Sequence, residues 1–240
     1  MSDTSQRIRV GHRERGESIP SGFLELAPGH LRDGRDAGTV VVMAPKLRPV
    51  HAGLYHVASG ATQPDPFFRD PVDRGIFLVE LAAMLRRERV VCVSFCLMTT
   101  HYHAIFDAEE AGVPAAMQRL NWHYARRANK RHGRLGHAVG RRYMCNPIED
   151  DAHLLDAFRY VALNPVEAGL CKRPQDWRWS SYATTIGLRA GGSLIDDRRV
   201  VGCFGRPRAT AIQRLRGFVE APTAASEPAP WPARAAWRAA

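Results

Sequence analysis

The sequence predicts an α+β fold: one antiparallel sheet with helices packed on it. Three observations carry this. Four segments have strand character, at residues 51–59, 90–98, 101–106 and 143–148. Helical spacing of apolar residues marks 71–87, 113–132 and 151–163. The resulting order, β-α-β-β-α-β and then a helix, is that of a ferredoxin-like plan.

Each element has its own reason. Residues 51–59 (HAGLYHVAS) alternate as a strand does. Residues 71–87 place Ile76, Phe77, Val79, Leu81, Met84 and Leu85 at helical intervals behind Pro71. Residues 90–98 (VVCVSFCLM) are an apolar, β-prone run. Thr99-Thr100 is a tight connection, so 101–106 returns as the second arm of a hairpin. The long helix 113–132 turns Met117, Leu120, Tyr124 and Ala128 inward. The last helix starts at an N-cap supplied by Asp150 or Asp151, and Pro165 is expected to stop it.

Outside this block the composition changes. Residues 1–45 are polar and rich in Gly and Arg, as in a flexible arm. The folded domain is expected over 46–187. A small helical extension follows over 188–221, because 209–219 is amphipathic. Residues 222–240 are rich in Ala, Pro and Arg, the composition of a disordered tail.

Composition narrows the function. The net charge is +10, which favours a polyanionic partner, since clustered cations displace counterions from phosphates. No run approaches the roughly 20 apolar residues of a membrane span, and the N-terminal stretch has no apolar signal region. The five cysteines are scattered with no CxxC pair, so neither a disulfide framework nor a zinc knuckle is expected. A reducing cytoplasm is the expected location. No GxSxG, P-loop, GxGxxG or HExxH sequence is present.

Two clusters carry chemistry. In His101-Tyr102-His103 the histidines stand two apart on a strand, so both imidazoles project from one face and can reach one divalent ion. Imidazole suits Mn²⁺ or zinc, and a mixed nitrogen and oxygen site completed by phosphate suits Mg²⁺ or Mn²⁺. The same spacing also fits two ordinary strand histidines. Tyr102 points the other way and packs. Further on, Tyr160 and Asn164 are four apart, which puts a phenol and an amide on one helix face. The amide oxygen of Asn164 is a candidate third ligand and equally a polar helix cap. A phenol with pKa near 10 is a poor nucleophile unaided and needs positioning.

The third cluster is electrostatic. Residues 119–142 hold eight basic side chains and no acidic one. Arg119, His123, Arg126, Arg127, Lys130 and Arg131 fall largely off the apolar stripe of the helix, and Arg134, Arg141 and Arg142 follow. Phosphate contact is the favoured role, of the kind that positions nucleic acid without reading sequence. Trp122 and Tyr143 are candidates for stacking on unpaired bases. Trp177-Arg178-Trp179-Ser180-Ser181-Tyr182 has the look of a docking segment, with the alternating tryptophans as anchors.

Taken together, MTTHYHAIF, LNWHYARRANKRHGRLGH, RRYMCNPIEDDAHLLDAFRYVALNPVEAGL and PQDWRWSSYATTIG resemble the single-tyrosine HUH transposases, most closely their REP-associated tyrosine transposase branch. The resemblance spans roughly residues 48–187. Asn129, Gly133-Arg134 and Gly136 stand where that family has a turn after its basic helix. Tyr160, Asn164-Pro165 and Ala168-Gly169 stand in its tyrosine block. The chain departs from the family pattern at Ser59-Gly60-Ala61, at Thr99-Thr100 and near Val139-Gly140.

The resemblance implies an HUH endonuclease fold, with a divalent ion held by His101 and His103 and completed by Asn164. It implies that Tyr160 attacks a single-stranded DNA phosphodiester, leaving a 5′-phosphotyrosine and a free 3′-hydroxyl. The implied partner is single-stranded or hairpin DNA, including repetitive palindromes. The protein would act as a monomer or homodimer, with the short link before the tyrosine helix favouring service within one subunit. The alternative function is a domesticated protein that binds structured DNA or RNA without cleaving it. A His-based metal hydrolase ranks below both.

Overall fold

A computed structural model of the chain describes residues 51–61, 66–109, 112–134, 139, 143–190 and 194–222. The expected arm over 1–45 lies outside the described residues. So do Gly136, Arg141 and Arg142, and all but Pro222 of the expected tail. The elements are β1 (Gly53–Gly60), α1 (Pro71–Glu88), β2 (Val90–Leu97), β3 (His101–Ala108), α2 (Gly112–His132), β4 (Met144–Ile148) and α3 (Asp151–Glu167). Among the described residues a 3-10 turn (Pro174–Asp176) and three helices follow: α4 (Tyr182–Thr185), α5 (Arg198–Gly202) and α6 (Arg208–Glu220).

The four strands form one antiparallel sheet in the order β2-β3-β1-β4, as the ferredoxin-like plan requires. Met98 N–H donates to the His101 carbonyl at 2.9 Å, which closes the hairpin across Thr99-Thr100. The sheet is covered on both faces. Tyr55, Val57, Tyr102, Ala104 and Phe106 pack under α1 and α2. Leu54, Ile105 and Ile148 pack under α3, and Val200, Val201, Ala211, Leu215 and Val219 of α5 and α6 join the same cluster. The helical extension therefore completes the second core.

The α1/α2 side is built on aromatics. Tyr102, between the two histidines in sequence, points here as expected and is 1% exposed. Its ring lies 4.5 Å from Phe77 between centroids, and Phe67 stacks on Tyr124 at 4.9 Å. Its hydroxyl donates to Asn121 Oδ1 at 2.8 Å. Removing one such buried ring costs about 3–5 kcal/mol.

Helix ends follow local chemistry. Asp70 caps α1 by accepting from Asp73 N–H at 3.0 Å, with Pro71 behind it. Asp150, and not Asp151, caps α3 by accepting from His153 N–H at 2.7 Å. The expected stop before Pro165 does not occur, since α3 runs on to Glu167. Its end is a Schellman motif: Leu170 N–H donates to Pro165 O and Gly169 N–H to Val166 O, both at 2.8 Å, with Gly169 at φ 69°. These bonds satisfy the final carbonyls, and Pro165 forgoes one helical hydrogen bond within the last turns.

The Trp177–Ser181 stretch docks as expected, and its target is the edge of β2. Leu97 N–H donates to Trp179 O at 2.9 Å and Ser181 N–H to Phe95 O at 3.0 Å. The Trp177 indole N–H donates to Leu97 O at 3.0 Å. A strand edge that would otherwise present unpaired backbone groups is thus covered. Arg74 braces the hairpin from the side, donating to Met98 O at 2.9 Å beneath Phe68, Trp177 and Trp179.

Candidate metal and tyrosine site

Register decides which side chains meet. In the antiparallel ladder Gly60 lies opposite His101, Ala58 opposite His103 and His56 opposite Ile105. Residues opposite one another share a face, so His56, His101 and His103 all project toward the α3 side. The two imidazoles of β3 come together as expected, with ring centroids 4.9 Å apart. Gly60 makes the close approach feasible: a Cβ there would stand 2.9 Å from Thr100 O and 3.0 Å from His101 Cβ.

His56 is the residue that the sequence does not single out. Its Nε2 lies 3.0 Å from His103 Nδ1, and the two rings stack with centroids 5.2 Å apart. Both side chains are buried. Burial lowers the His56 pKa to about 3, with the charge of His153 acting in the same direction. Burial, then His56 and His101, hold His103 well below the ordinary histidine range. Both rings are therefore neutral at physiological pH, the form that binds metal. The only sequence signal was position: His56 sits on the strand that pairs with the HxH strand, four residues before Gly60.

Whether the donors fit a divalent ion can be tested on His103. Its Nε2 is buried and has no hydrogen-bond partner among the described residues. A lone pair aimed at an ion accounts for such an atom. His101 is half-buried, and its Nδ1 lies 3.0 Å from Thr100 Oγ1, which leaves Nε2 facing outward from that bond. No group of three His, Cys, Asp or Glu side chains gathers as a metal site among the described residues. For an ion at this place the two imidazoles are the candidate protein donors, and an amide or substrate oxygens would have to supply the rest. That set suits Mn²⁺ or Mg²⁺ with phosphate bound.

Tyr160 arrives from α3. Its ring stands edge-on to His103 at 5.3 Å and to His56 at 5.8 Å between centroids. It is half-buried, with the second core packed against its inner side. Asn164 is buried one turn on. Its Nδ2 donates to Tyr160 O at 3.4 Å, its one side-chain hydrogen bond among the described residues. The structure thus brings Tyr160 to the histidines, while the described contacts of Asn164 stay within its own helix.

The basic helix divides in space. Arg119 pairs with Glu88, Arg127 with Glu80 at 2.6 Å, and Arg131 with Asp70 and Asp73, both at 2.6 Å. The acid-free run in sequence is therefore partly neutralised by α1. Asp73 is 1% exposed and also accepts from Arg69 N–H at 2.9 Å and meets His132 Nε2 at 2.9 Å. Trp122, Arg126 and Lys130 form an outward stripe at four-residue spacing. Trp122 is 55% exposed, with the Arg126 guanidinium 5.4 Å from its ring centroid and His123 edge-on beside it. Helix α2 covers the sheet face opposite the imidazoles. Its C-terminal end, with Lys130 and Arg134, lies toward the end of the sheet where His101 sits, since Arg131 reaches the start of α1 just beyond β1.

No protein-family model and no curated protein matches the chain. Among solved structures, its fold is similar to that of a REP-associated tyrosine transposase bound to a REP hairpin, with a TM-score of 0.53 at 15% identity. The match covers 64% of this chain and 94% of the other. The mixed architecture, a four-stranded antiparallel sheet with helices, is that of the transposase.

Proposed function

We propose that this chain is a single-strand DNA endonuclease and strand transferase that works through a 5′-phosphotyrosine, in the manner of REP-associated tyrosine transposases. The observation that carries the proposal is the packing of Tyr160 edge-on to His103, 5.3 Å between centroids, on the sheet face that also bears His101. Phenol and imidazoles come from one chain, which supports service within the subunit. The similar fold of a transposase bound to a REP hairpin supports hairpin DNA as substrate.

In this reading, the Tyr160 oxygen attacks a phosphodiester phosphorus. The phenolic proton passes to water, the P–O3′ bond breaks, the departing 3′ oxygen takes up a proton to become a hydroxyl, and the 5′-phosphate stays on the tyrosine. Attack by another 3′-hydroxyl reverses the step and rejoins DNA without an external energy source. His101 and His103 would hold Mg²⁺ or Mn²⁺, which when bound polarises the scissile phosphate and stabilises the departing oxygen. The α3 helix fixes the phenol beside that place, and positioning of this kind lowers the barrier more than the reactivity of a free phenol does. Asn164 would complete the ion's ligands through its Oδ1, which the bond from Nδ2 to Tyr160 O leaves unused.

The test is incubation of single-stranded hairpin DNA with the protein and Mn²⁺, followed by denaturing electrophoresis. A covalent adduct is expected for the wild type and none for Tyr160→Phe. An adduct that persists in Tyr160→Phe rules out the assignment. A second reading, binding of structured nucleic acid without cleavage, is favoured by the Trp122, Arg126 and Lys130 stripe, which does not depend on Tyr160. It predicts tight, salt-sensitive binding and no adduct with any metal.

A further inference from the structure

We propose that the outward ridge of α2 is a separate binding surface for single-stranded DNA, on which Trp122 stacks against an unpaired base while Arg126 and Lys130 take the neighbouring phosphates. This rests on the DNA reading above and adds to it a holding surface on the side of the sheet away from Tyr160.

The ridge is built by spacing and charge. Gln118, Trp122, Arg126 and Lys130 follow one another at four-residue intervals, and all are exposed. At about 1.5 Å of rise per residue the row is about 18 Å long. No Asp or Glu occurs between Gly112 and His132. The other cations of the helix face acids of α1 and its cap: Arg119 faces Glu88, Arg127 faces Glu80, and Arg131 faces Asp70 and Asp73. Arg126 and Lys130 have no acidic partner among the described residues. Their charge is left to complement a polyanion.

Trp122 selects the unpaired form. A duplex keeps the faces of its bases within its own stack, whereas a single strand offers them to an aromatic ring. The Arg126 guanidinium lies 5.4 Å from the indole centroid, and the His123 ring stands perpendicular at 4.7 Å. These neighbours hold the indole, yet the residue is 55% exposed, so ring surface remains for a base. Every base has a π-face, so such stacking tolerates any sequence. A second copy of the chain is the other occupant that an exposed tryptophan beside an arginine would suit. Two such ridges would set Arg126 and Lys130 against their like, a conflict that DNA does not bring. Because the imidazoles project from the opposite face of the sheet, a strand held on α2 does not occupy the place of a phosphodiester at Tyr160.

The experiment uses the full chain in EDTA and fluorescently labelled oligothymidylate of about 15 nucleotides, within the range of single-strand site sizes. A blunt DNA duplex and oligouridylate of the same length are the comparisons. Anisotropy titration is expected to show the single DNA strand bound more tightly than the duplex. Trp122→Ala is expected to weaken binding of the single strand by about 5- to 150-fold, and Trp122→Phe to retain most of it. Binding of the duplex should be the same in all three proteins. Thermal melts check that these substitutions at an exposed position leave the fold intact. Equal affinity for single strand and duplex overturns the proposal, as does a change of less than about two-fold in Trp122→Ala. Tighter Trp122-dependent binding of oligouridylate overturns the assignment to DNA. A dimer that Trp122→Ala dissociates, with DNA affinity unchanged, gives the ridge to a second copy and overturns it too. Neither metal nor Tyr160 takes part, so the outcome stands apart from adduct formation.

Discussion

The ring of Tyr160 meets the edge of His103 at 5.3 Å, although the two residues belong to different elements, α3 and β3. Their proximity depends on α3 lying across the sheet through Leu154, Phe158 and Val161, all fully buried. The second core therefore sets the geometry of the candidate chemistry.

The buried histidines make stability depend on pH. The folded chain holds His56 down to about 3 and His103 well below its ordinary value, so both stay neutral. An unfolded chain takes up protons on these rings below about pH 6.5. Their lowered folded pKa values therefore leave stability intact above that value and erode it as pH falls. The slope approaches about 1.4 kcal/mol per pH unit for each ring. Urea unfolding at about pH 7, 6 and 5 measures it, and His56→Phe is expected to reduce the slope.

Electrostatic roles along α2 are expected to separate by substitution. Arg126→Ala and Lys130→Ala should each lower the salt dependence of hairpin binding by about one unit of log K against log salt. Arg127→Ala should act on the fold, because it leaves the buried Glu80 without its 2.6 Å partner. Binding isotherms across a salt series, paired with thermal melts, distinguish the two effects.

Gly60→Ala is expected to disturb the candidate metal site without replacing a candidate ligand. Its Cβ would meet Thr100 O at 2.9 Å and His101 Cβ at 3.0 Å, so the start of β3 must move. Weaker Mn²⁺ binding with a melting temperature shifted by only a few degrees, about 1 kcal/mol, is the expected result. Unchanged Mn²⁺ affinity would show that His101 tolerates the shift.

Ser181→Ala should destabilise the chain by about 1–3 kcal/mol. The Ser181 hydroxyl oxygen accepts from Phe95 N–H at 3.0 Å and lies 3.1 Å from Ser94 Oγ, all out of water. Chemical denaturation measures the loss. An effect below about 0.5 kcal/mol would mean that water replaces the hydroxyl.

Much of this was legible in the chain. Alternation in 51–59 and the HxH strand, and helical spacing in 113–132, are local signals, and they predicted elements and order. The two-residue period put Tyr102 into the aromatic core and both histidines on the other face. What was not legible depends on pairing between distant segments. His56 meets His103 only through the β1–β3 register. The acids that answer Arg119, Arg127 and Arg131 lie on or at the start of α1, far off in sequence. Pro165 suggested a stop because its own effect is local, whereas the bonds through Gly169 and Leu170 that end α3 lie beyond it.

The cover over β2 has a consequence for self-association. Backbone bonds from Trp179 and Ser181 occupy that edge, so a second copy cannot extend the sheet there. The opposite edge is β4, a strand of five residues carrying an exposed Pro147, which has no N–H to give. Both borders of the sheet thus resist strand-by-strand growth into larger assemblies. Under the proposed function, single strands of nucleic acid would meet a sheet whose borders recruit no peptide strand in their place.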